Sequence, residues 1–222
     1  MSYNFKKRII VVEDHPMMLK GLVMTLNAEH GFEVVGKFNR AEEALQKLSE
    51  LKPDLAIIDI SLPGMSGLEL IKNLVGMHPN LKILVVSRHE ETLYAERALR
   101  AGAKGYVMKQ EAGEEMLKAI RKIFNGGIYV SEQVSEKLLL GLAAGQKNLS
   151  QSPIDLLSDR ELEVFEMTGQ GSNTREIAER LHLSVKTVES YRARIKTKLN
   201  LENATELMMH AVKFVENEKK EI

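Results

Sequence analysis

The sequence predicts two folds in one chain: a doubly wound α/β domain on a five-stranded parallel sheet, then a small all-α domain of four helices. Two observations carry this prediction. Between residue 8 and about residue 125, five short apolar runs rich in β-branched residues alternate strictly with segments of helical period. After Ser158 the pattern is helical throughout. The expected bounds are 1–126 for the first domain, 127–156 for a linker with a possible helix, and 157–222 for the second domain.

The first run, RIIVVED (8–14), ends in two acids, and helix one is expected over about Pro16–Ala28, with Met17, Met18, Leu22 and Leu26 at helical spacing. FEVVGKF (32–38) is the second strand; Asn39 is expected to cap helix two, whose apolar positions are Ala41, Ala44, Leu45 and Leu48. LAIID (55–59), KILVVS (82–87) and KGYVMK (104–109) complete the strands, with helices expected over Leu68–Val75, Leu93–Ala101 and Glu114–Phe124. Alternation with short connections requires parallel strands covered on both faces. Gly126-Gly127 breaks the pattern. From Gly127 to about Leu157 the sequence shows no strand, one weak helical stretch (Ser131–Ala144) and a loop-like GQKNLSQSPID. The last helices are expected over Asp159–Thr168, Thr174–Leu181, Val185–Leu199 and Ala204–Val215, each preceded by a capping residue: Ser158, Asn173, Ser184 and Asn203.

Composition narrows the function classes. With 44% apolar and 28% charged residues the 222-residue chain is expected to be a soluble globular protein. Its formal net charge is zero, so any affinity for nucleic acid must be local. The lack of cysteine excludes disulfides and thiolate metal sites and fits a reducing compartment. The most apolar later segment, LLLGLAAG from Leu138, is too short to span a bilayer, and no signal-peptide core is seen, so a cytoplasmic protein without membrane contact is expected.

In a doubly wound sheet, ligands sit beyond the carboxyl ends of the strands, where the strand order reverses. Those ends carry Glu13 and Asp14, Asp59, Ser87 and Lys109. With the common order 2-1-3-4-5, the reversal falls between strands one and three, which gathers Glu13, Asp14 and Asp59 and sets Ser87 and Lys109 beyond Asp59. Taken alone, Asp59 could close the loop before Gly67 as an Asx-turn. Polar residues at four strand ends argue for more. Three carboxylates repel unless a cation joins them, and a hard cation such as Mg²⁺ fits oxygen donors. A metal, a lysine, a hydroxyl and a carboxylate facing a pocket are the parts that phosphoryl transfer to a carboxylate requires.

VVEDHP, IIDISLPGMSGLEL, VVS and KGYVMK closely resemble the receiver domain of bacterial two-component response regulators, over residues 8 to about 125. The resemblance implies that Asp59 is the phosphoacceptor, charged by a sensor histidine kinase. It implies that Glu13 and Asp14 help bind Mg²⁺, with the backbone carbonyl of Ser61 as a further ligand. It also implies that Lys109 assists the chemistry, and that Ser87 and the aromatic Tyr106 form the switch. On phosphorylation Ser87 moves to the phosphoryl group, Tyr106 turns inward, and the surface of the fourth helix, fifth strand and fifth helix repacks.

SNTREIAERLHLSVKTVESYRARIKTKL reads as helix–turn–helix, with Leu183-Ser184 at the turn. Val188, Tyr191 or Arg192, Ile195 and Leu199 are expected to face the core. From Lys186 to Lys198 there are five Lys/Arg against one Glu, although from Ser158 onward 11 basic residues meet 12 acidic ones. Positive charge gathered on one helix suits docking in a major groove of double-stranded DNA. The string from Leu157 to about Val212 resembles the LuxR-type DNA-binding domain, and the pair of domains resembles the NarL/FixJ class. Two residues depart from the usual pattern: Tyr191 stands where many members have His, and Asn200 where Gly is usual. Asn tolerates the left-handed conformation there. Lys186, Glu189, Ser190 and Ala193 are candidate base-facing residues, and Thr187, Arg192, Arg194, Lys196 and Lys198 candidate phosphate contacts. Leu207, Met208, Ala211 and Val212 mark the last helix as a candidate dimerising face for a homodimer.

Two other functions compete with this reading. A haloacid-dehalogenase-like phosphatase also sets an Asp after a parallel strand, but it needs an acid two residues on, where this chain has Ser61. A degenerate receiver acting only as a binding module is hard to square with the complete set of Glu13, Asp14, Asp59, Ser87 and Lys109.

Overall fold

The structure, a computed structural model, describes residues 6–143 and 153–218. Residues Met1–Gly145 and Gln146–Ile222 form two compact units. The expectations for 144–152 lie outside the described residues.

In the first unit, β1 (Lys7–Val12), α1 (Pro16–Ala28), β2 (Phe32–Phe38), α2 (Ala41–Leu51), β3 (Leu55–Ile58), α3 (Gly67–Met77), β4 (Lys82–Ser87), α4 (Glu91–Ala101), β5 (Gly105–Met108) and α5 (Glu114–Phe124) alternate as expected. All strand pairs are parallel, in the order β2-β1-β3-β4-β5. Every residue of β3 is buried, because helices cover both faces. Alternation along the strands sorts the core. Ile9, Val11, Leu55, Ile57, Leu84, Val86 and Val107 pack with Leu22 and Leu26 of α1 and Met116, Ile120 and Ile123 of α5. Ile10, Val12, Ala56, Ile58, Ile83 and Val85 are equally buried, on the face that alternation turns the other way. Each buried Ile, Leu or Val contributes about 1.5–3 kcal/mol.

Three strands end sooner than the sequence suggests. Glu13, Asp14 and Asp59 follow β1 and β3 rather than extending them, and Lys109 opens a short 3₁₀ turn, Lys109–Glu111. The charged residues have left the hydrophobic layers and stand on the sheet's carboxyl rim. Asn39 does not cap α2: Arg40 holds that position with no side-chain hydrogen bond, and the helix start is favoured instead by Glu42 and Glu43 in its first turn. The segment expected as a linker begins with a main-chain bridge between Tyr129 and Gly105 and continues as α6 (Glu132–Ala143), which packs against α4.

The second unit opens with a 3₁₀ turn, Pro153–Leu156, followed by α7 (Asp159–Gly169), α8 (Thr174–Arg180), α9 (Val185–Leu199) and α10 (Ala204–Glu218). Ser158 and Asn173 make reciprocal capping boxes with Glu161 and Glu176, and Ser184 accepts from the Thr187 amide. Leu162, Phe165, Ile177, Val188, Ile195, Leu207 and Ala211 form the core. Among the described residues no helix is long and apolar enough to cross a membrane.

Candidate functional site

The reversal of strand order between β1 and β3 opens the rim beside Asp59, whose amide donates to the Val12 carbonyl at 3.0 Å. The chain returns over Asp59 at the start of α3. A Cβ on Gly67 would lie 1.9 Å from the Asp59 carbonyl oxygen, so only glycine lets the helix pass this close.

Five side chains converge. Lys109 Nζ lies 2.8 Å from Asp59 Oδ2 and 2.8 Å from Glu13 Oε1, tying two carboxylates that are 2% and 1% exposed. Glu13 also accepts from the His15 amide at 3.1 Å. Burial, and then the negative charge of Asp59, raise the Glu13 pKa against the opposing pull of Lys109 and the His15 amide. His15 Nδ1 lies 2.6 Å from Asp14 Oδ1 and 3.0 Å from Glu13 Oε1, while Arg88 approaches its Nε2 at 3.2 Å. Glu13, Asp14, His15 and Asp59 each offer one ligand atom, all within 4.8 Å of one another. Three carboxylates against one ammonium leave an excess of negative charge. Glu13 Oε2 and Asp14 Oδ1 are buried without a hydrogen bond, although ion contacts reach both. A hard divalent cation would supply the missing charge, and the oxygen-rich donor set fits Mg²⁺.

Ser87, fully buried at the end of β4, accepts a long 3.5 Å contact from the His89 amide. Tyr106 is only 1% exposed: its ring is already inward, and its hydroxyl donates to the His89 carbonyl at 2.7 Å. Ser61 places its hydroxyl 2.7 Å from His89 Nε2, and the His89 ring stacks on Tyr94 of α4 at 4.3 Å. His89 thus joins the loop after Asp59 to Ser87, Tyr106 and α4. Sequence reasoning misses it, because nothing in the chain marks a contact between residues 61 and 89. His15 is missed as well, although VVEDHP offers a signal: it follows Asp14 directly.

In the second unit, α9 buries Val188 and Ile195 and leaves Lys186, Glu189, Ser190, Ala193 and Arg194 exposed on the other side. The turn before it is made by His182, whose φ of 53° lets the Leu183 amide reach the Ala178 carbonyl at 2.8 Å. Asn200 ends α9 in the left-handed conformation, with φ 54°. Arg194 lies over the Tyr191 ring at 6.0 Å. Thr187 shares its hydroxyl with Ser184, and Arg192 donates to Thr174 Oγ1 at 3.0 Å. Lys198, a candidate phosphate contact, bonds Glu161 Oε2 at 2.6 Å and the Leu156 carbonyl at 3.0 Å, which ties α9 to α7. Burial alone would raise the Glu161 pKa, but Lys198 and Ser158 outweigh it and hold the carboxyl below its ordinary value. The expected dimerising set on α10 divides: Leu207 and Ala211 are buried in the intradomain core, Val212 is half-buried and Met208 is exposed, with Met209 exposed beside it.

Residues 9–121 match the response regulator receiver domain, and residues 155–211 match the bacterial regulatory proteins of the luxR family. Response regulator GacA of Pseudomonas viridiflava is 39% identical over 206 residues, 93% of this chain and 95% of that protein. Oxygen regulatory protein NreC of Staphylococcus carnosus is 35% identical over 210 residues, 93% of this chain and 97% of that one. The structure of RcsB from Salmonella enterica serovar Typhimurium, bound to promoter rprA in the presence of phosphomimetic BeF₃⁻, aligns with a TM-score of 0.62 at 28% identity, covering 93% of this chain and 98% of that chain. With a receiver sheet that carries an acidic rim and a LuxR-type helical unit after it, the chain belongs to the two-component response regulators of the NarL/FixJ class, a family of transcriptional regulators.

Proposed function

We propose that phosphorylation of Asp59 by a sensor histidine kinase controls DNA binding by the helical domain of this regulator, with residues 1–126 receiving the signal, 127–156 linking, and 157–222 binding DNA. The observation that carries the reading is the Lys109 ammonium, held 2.8 Å from the near-buried Asp59 and Glu13 beside Asp14.

An Asp59 carboxylate oxygen attacks the phosphorus of a phosphohistidine. The P–O bond forms as the P–N bond breaks, and the imidazole leaves. Lys109 faces both the nucleophile and the incoming negative charge, and Ser87 exchanges its long contact with His89 for a hydrogen bond to a phosphoryl oxygen. Glu13, Asp14, Asp59 and the Ser61 backbone carbonyl would hold Mg²⁺, which when bound neutralises charge on the transferring group. The phosphoryl group favours the inward Tyr106 that is already bonded to His89. The receiver catalyses only its own phosphorylation and dephosphorylation.

In the helical domain, Lys186, Glu189, Ser190 and Ala193 face base edges, and Thr187, Arg192, Arg194 and Lys196 face phosphates. Activation brings two copies together, for which exposed Met208 and Met209 offer an apolar patch. The protein works in the cytoplasm on promoter DNA. The complex of RcsB with promoter rprA and BeF₃⁻ supports this reading.

The test is acyl-phosphate labelling with Mg²⁺. Wild type should gain one phosphoryl group by intact mass and Asp59→Asn none; undiminished labelling of the variant removes Asp59 from its role.

A further inference from the structure

The chemistry above leaves residues 127–143 without a task, yet they are fastened to the first unit around β5 and α4. The Tyr106 amide donates to the Tyr129 carbonyl at 2.8 Å, and the Tyr129 amide to the Lys104 carbonyl at 3.0 Å, so this segment pairs with the outer edge of the sheet. The approach is close: a Cβ on Gly105 would lie 2.9 Å from the Tyr129 carbonyl oxygen. The Tyr129 hydroxyl bonds Glu115 of α5. The Ser131 amide donates to Glu91 Oε1 at 2.7 Å, in the first turn of α4, and Lys137 reaches the Thr92 carbonyl at 3.4 Å. Val134 of α6 is buried to 3%.

These fasteners surround the switch residue. Tyr106 sits on β5, the last strand of the order β2-β1-β3-β4-β5, on the face opposite Val107. A side chain on an edge strand stands on one face of the sheet, with only that strand's outer edge between it and solvent. Here that edge is paired with the main chain of Tyr129, and α6 packs on the neighbouring α4. The inward ring and the docked segment therefore belong to one packing.

We propose that residues 128–143 are a strap that forms part of the switch: docked on β5 and α4, the strap holds Tyr106 inward, so strap docking and phosphorylation of Asp59 favour each other. The proposal rests on the roles given above to Asp59, Ser87 and Tyr106. Among the described residues the fasteners are a few hydrogen bonds, buried Val134 and the Tyr129 ring packed against the core, a local set that can open without unfolding the sheet. Coupling between two sites is reciprocal, so whatever factor phosphorylation adds to strap docking, docking adds to occupancy of the phosphoryl site.

The experiment uses the full chain, phosphorylated with acetyl phosphate and Mg²⁺, with occupancy read by intact mass and hydrogen exchange read by mass spectrometry. Exchange at the amides of Tyr106, Tyr129 and Ser131 should slow about fivefold on phosphorylation, within the usual range of such couplings. A chain that is phosphorylated but whose strap exchanges unchanged or faster overturns the strap and leaves Asp59 as phosphoacceptor. A chain that gains no phosphoryl group overturns both. Glu91→Ala and Val134→Ser each remove one fastener, and the first touches only a surface contact, which guards against misfolding. Both variants should exchange faster at Tyr129 and Ser131, and should need about fivefold more beryllium fluoride for half-saturation at fixed Mg²⁺. Beryllium fluoride affinity equal to wild type in a variant with a loosened strap refutes the coupling, as does a strap that neither substitution loosens.

Discussion

Replacing Lys109 by Met removes the one ammonium held between Glu13 and Asp59 while keeping a side chain of similar length. Each ion contact, at about 2.8 Å, is worth roughly 6 kcal/mol at an effective dielectric of about 20, before desolvation of each ion takes back several kcal/mol. Breaking a buried pair by deleting one partner costs about 3–5 kcal/mol, because the remaining charges stay buried without compensation. In magnesium-free buffer at pH 7 the variant's first unit should lose about that much. The loss depends on pH through Glu13. Its folded-state pKa is already raised above 4.5 by burial and by Asp59, and the Lys109→Met change would remove the opposing pull of the ammonium. A carboxyl with a raised folded pKa binds its proton more tightly in the folded state. Its stabilising contribution is complete below the unfolded value and is lost as pH rises through the folded value. The variant should therefore regain part of that loss on acidification, so that its deficit is smaller at pH 5 than at pH 7. Hydrogen exchange of β1 and β3 amides against urea, at pH 5 and pH 7 with chelator, reports the first unit separately. A loss below about 1 kcal/mol at pH 7, or one equal at both pH values, refutes the idea that Lys109 restrains two repelling carboxylates.

Arg194→Ala should weaken binding to specific and random duplexes alike and lower the slope of log K against log salt by about 0.9, whereas Lys198→Ala should leave the slope in place. Lys198→Ala should instead lower stability by about 1 kcal/mol, a modest figure because its side chain is 38% exposed. That contribution is present above the ordinary Glu161 pKa of 4.5 and is lost as pH falls through the depressed folded value, so urea unfolding should converge on wild type in acid. Gly67→Ala should displace α3 from Asp59, costing about 1–3 kcal/mol or more and slowing acyl-phosphate labelling, since its Cβ would meet the Asp59 carbonyl. Normal stability and labelling in that variant would show the close approach to be relaxed in solution.

Periodicity located every strand and helix of the first unit's sheet: where both faces are buried the run is unbroken and apolar, as in Leu55–Ile58, while β2 at the sheet's edge carries exposed Glu33 and Lys37. It also found the caps Ser158, Asn173 and Ser184, since a hydroxyl or amide before a helical run is a local signal. Local signals failed at Asn39, one residue too early to cap α2, and at Tyr129, whose partner in the sheet is 24 residues earlier in the chain.

Sequence by itself determined the order of elements, the chemistry available at each strand end and the basic character of α9, because these depend on residue type and near neighbours. Only the tertiary structure decided which of those groups are engaged. It put Lys109 between two buried carboxylates, spent Lys198 on Glu161, took Leu207 and Ala211 into the core, and linked Ser61 to Tyr106 through His89. Such choices turn on distances between residues far apart in the chain, set when strands and helices pack, and no local pattern records them.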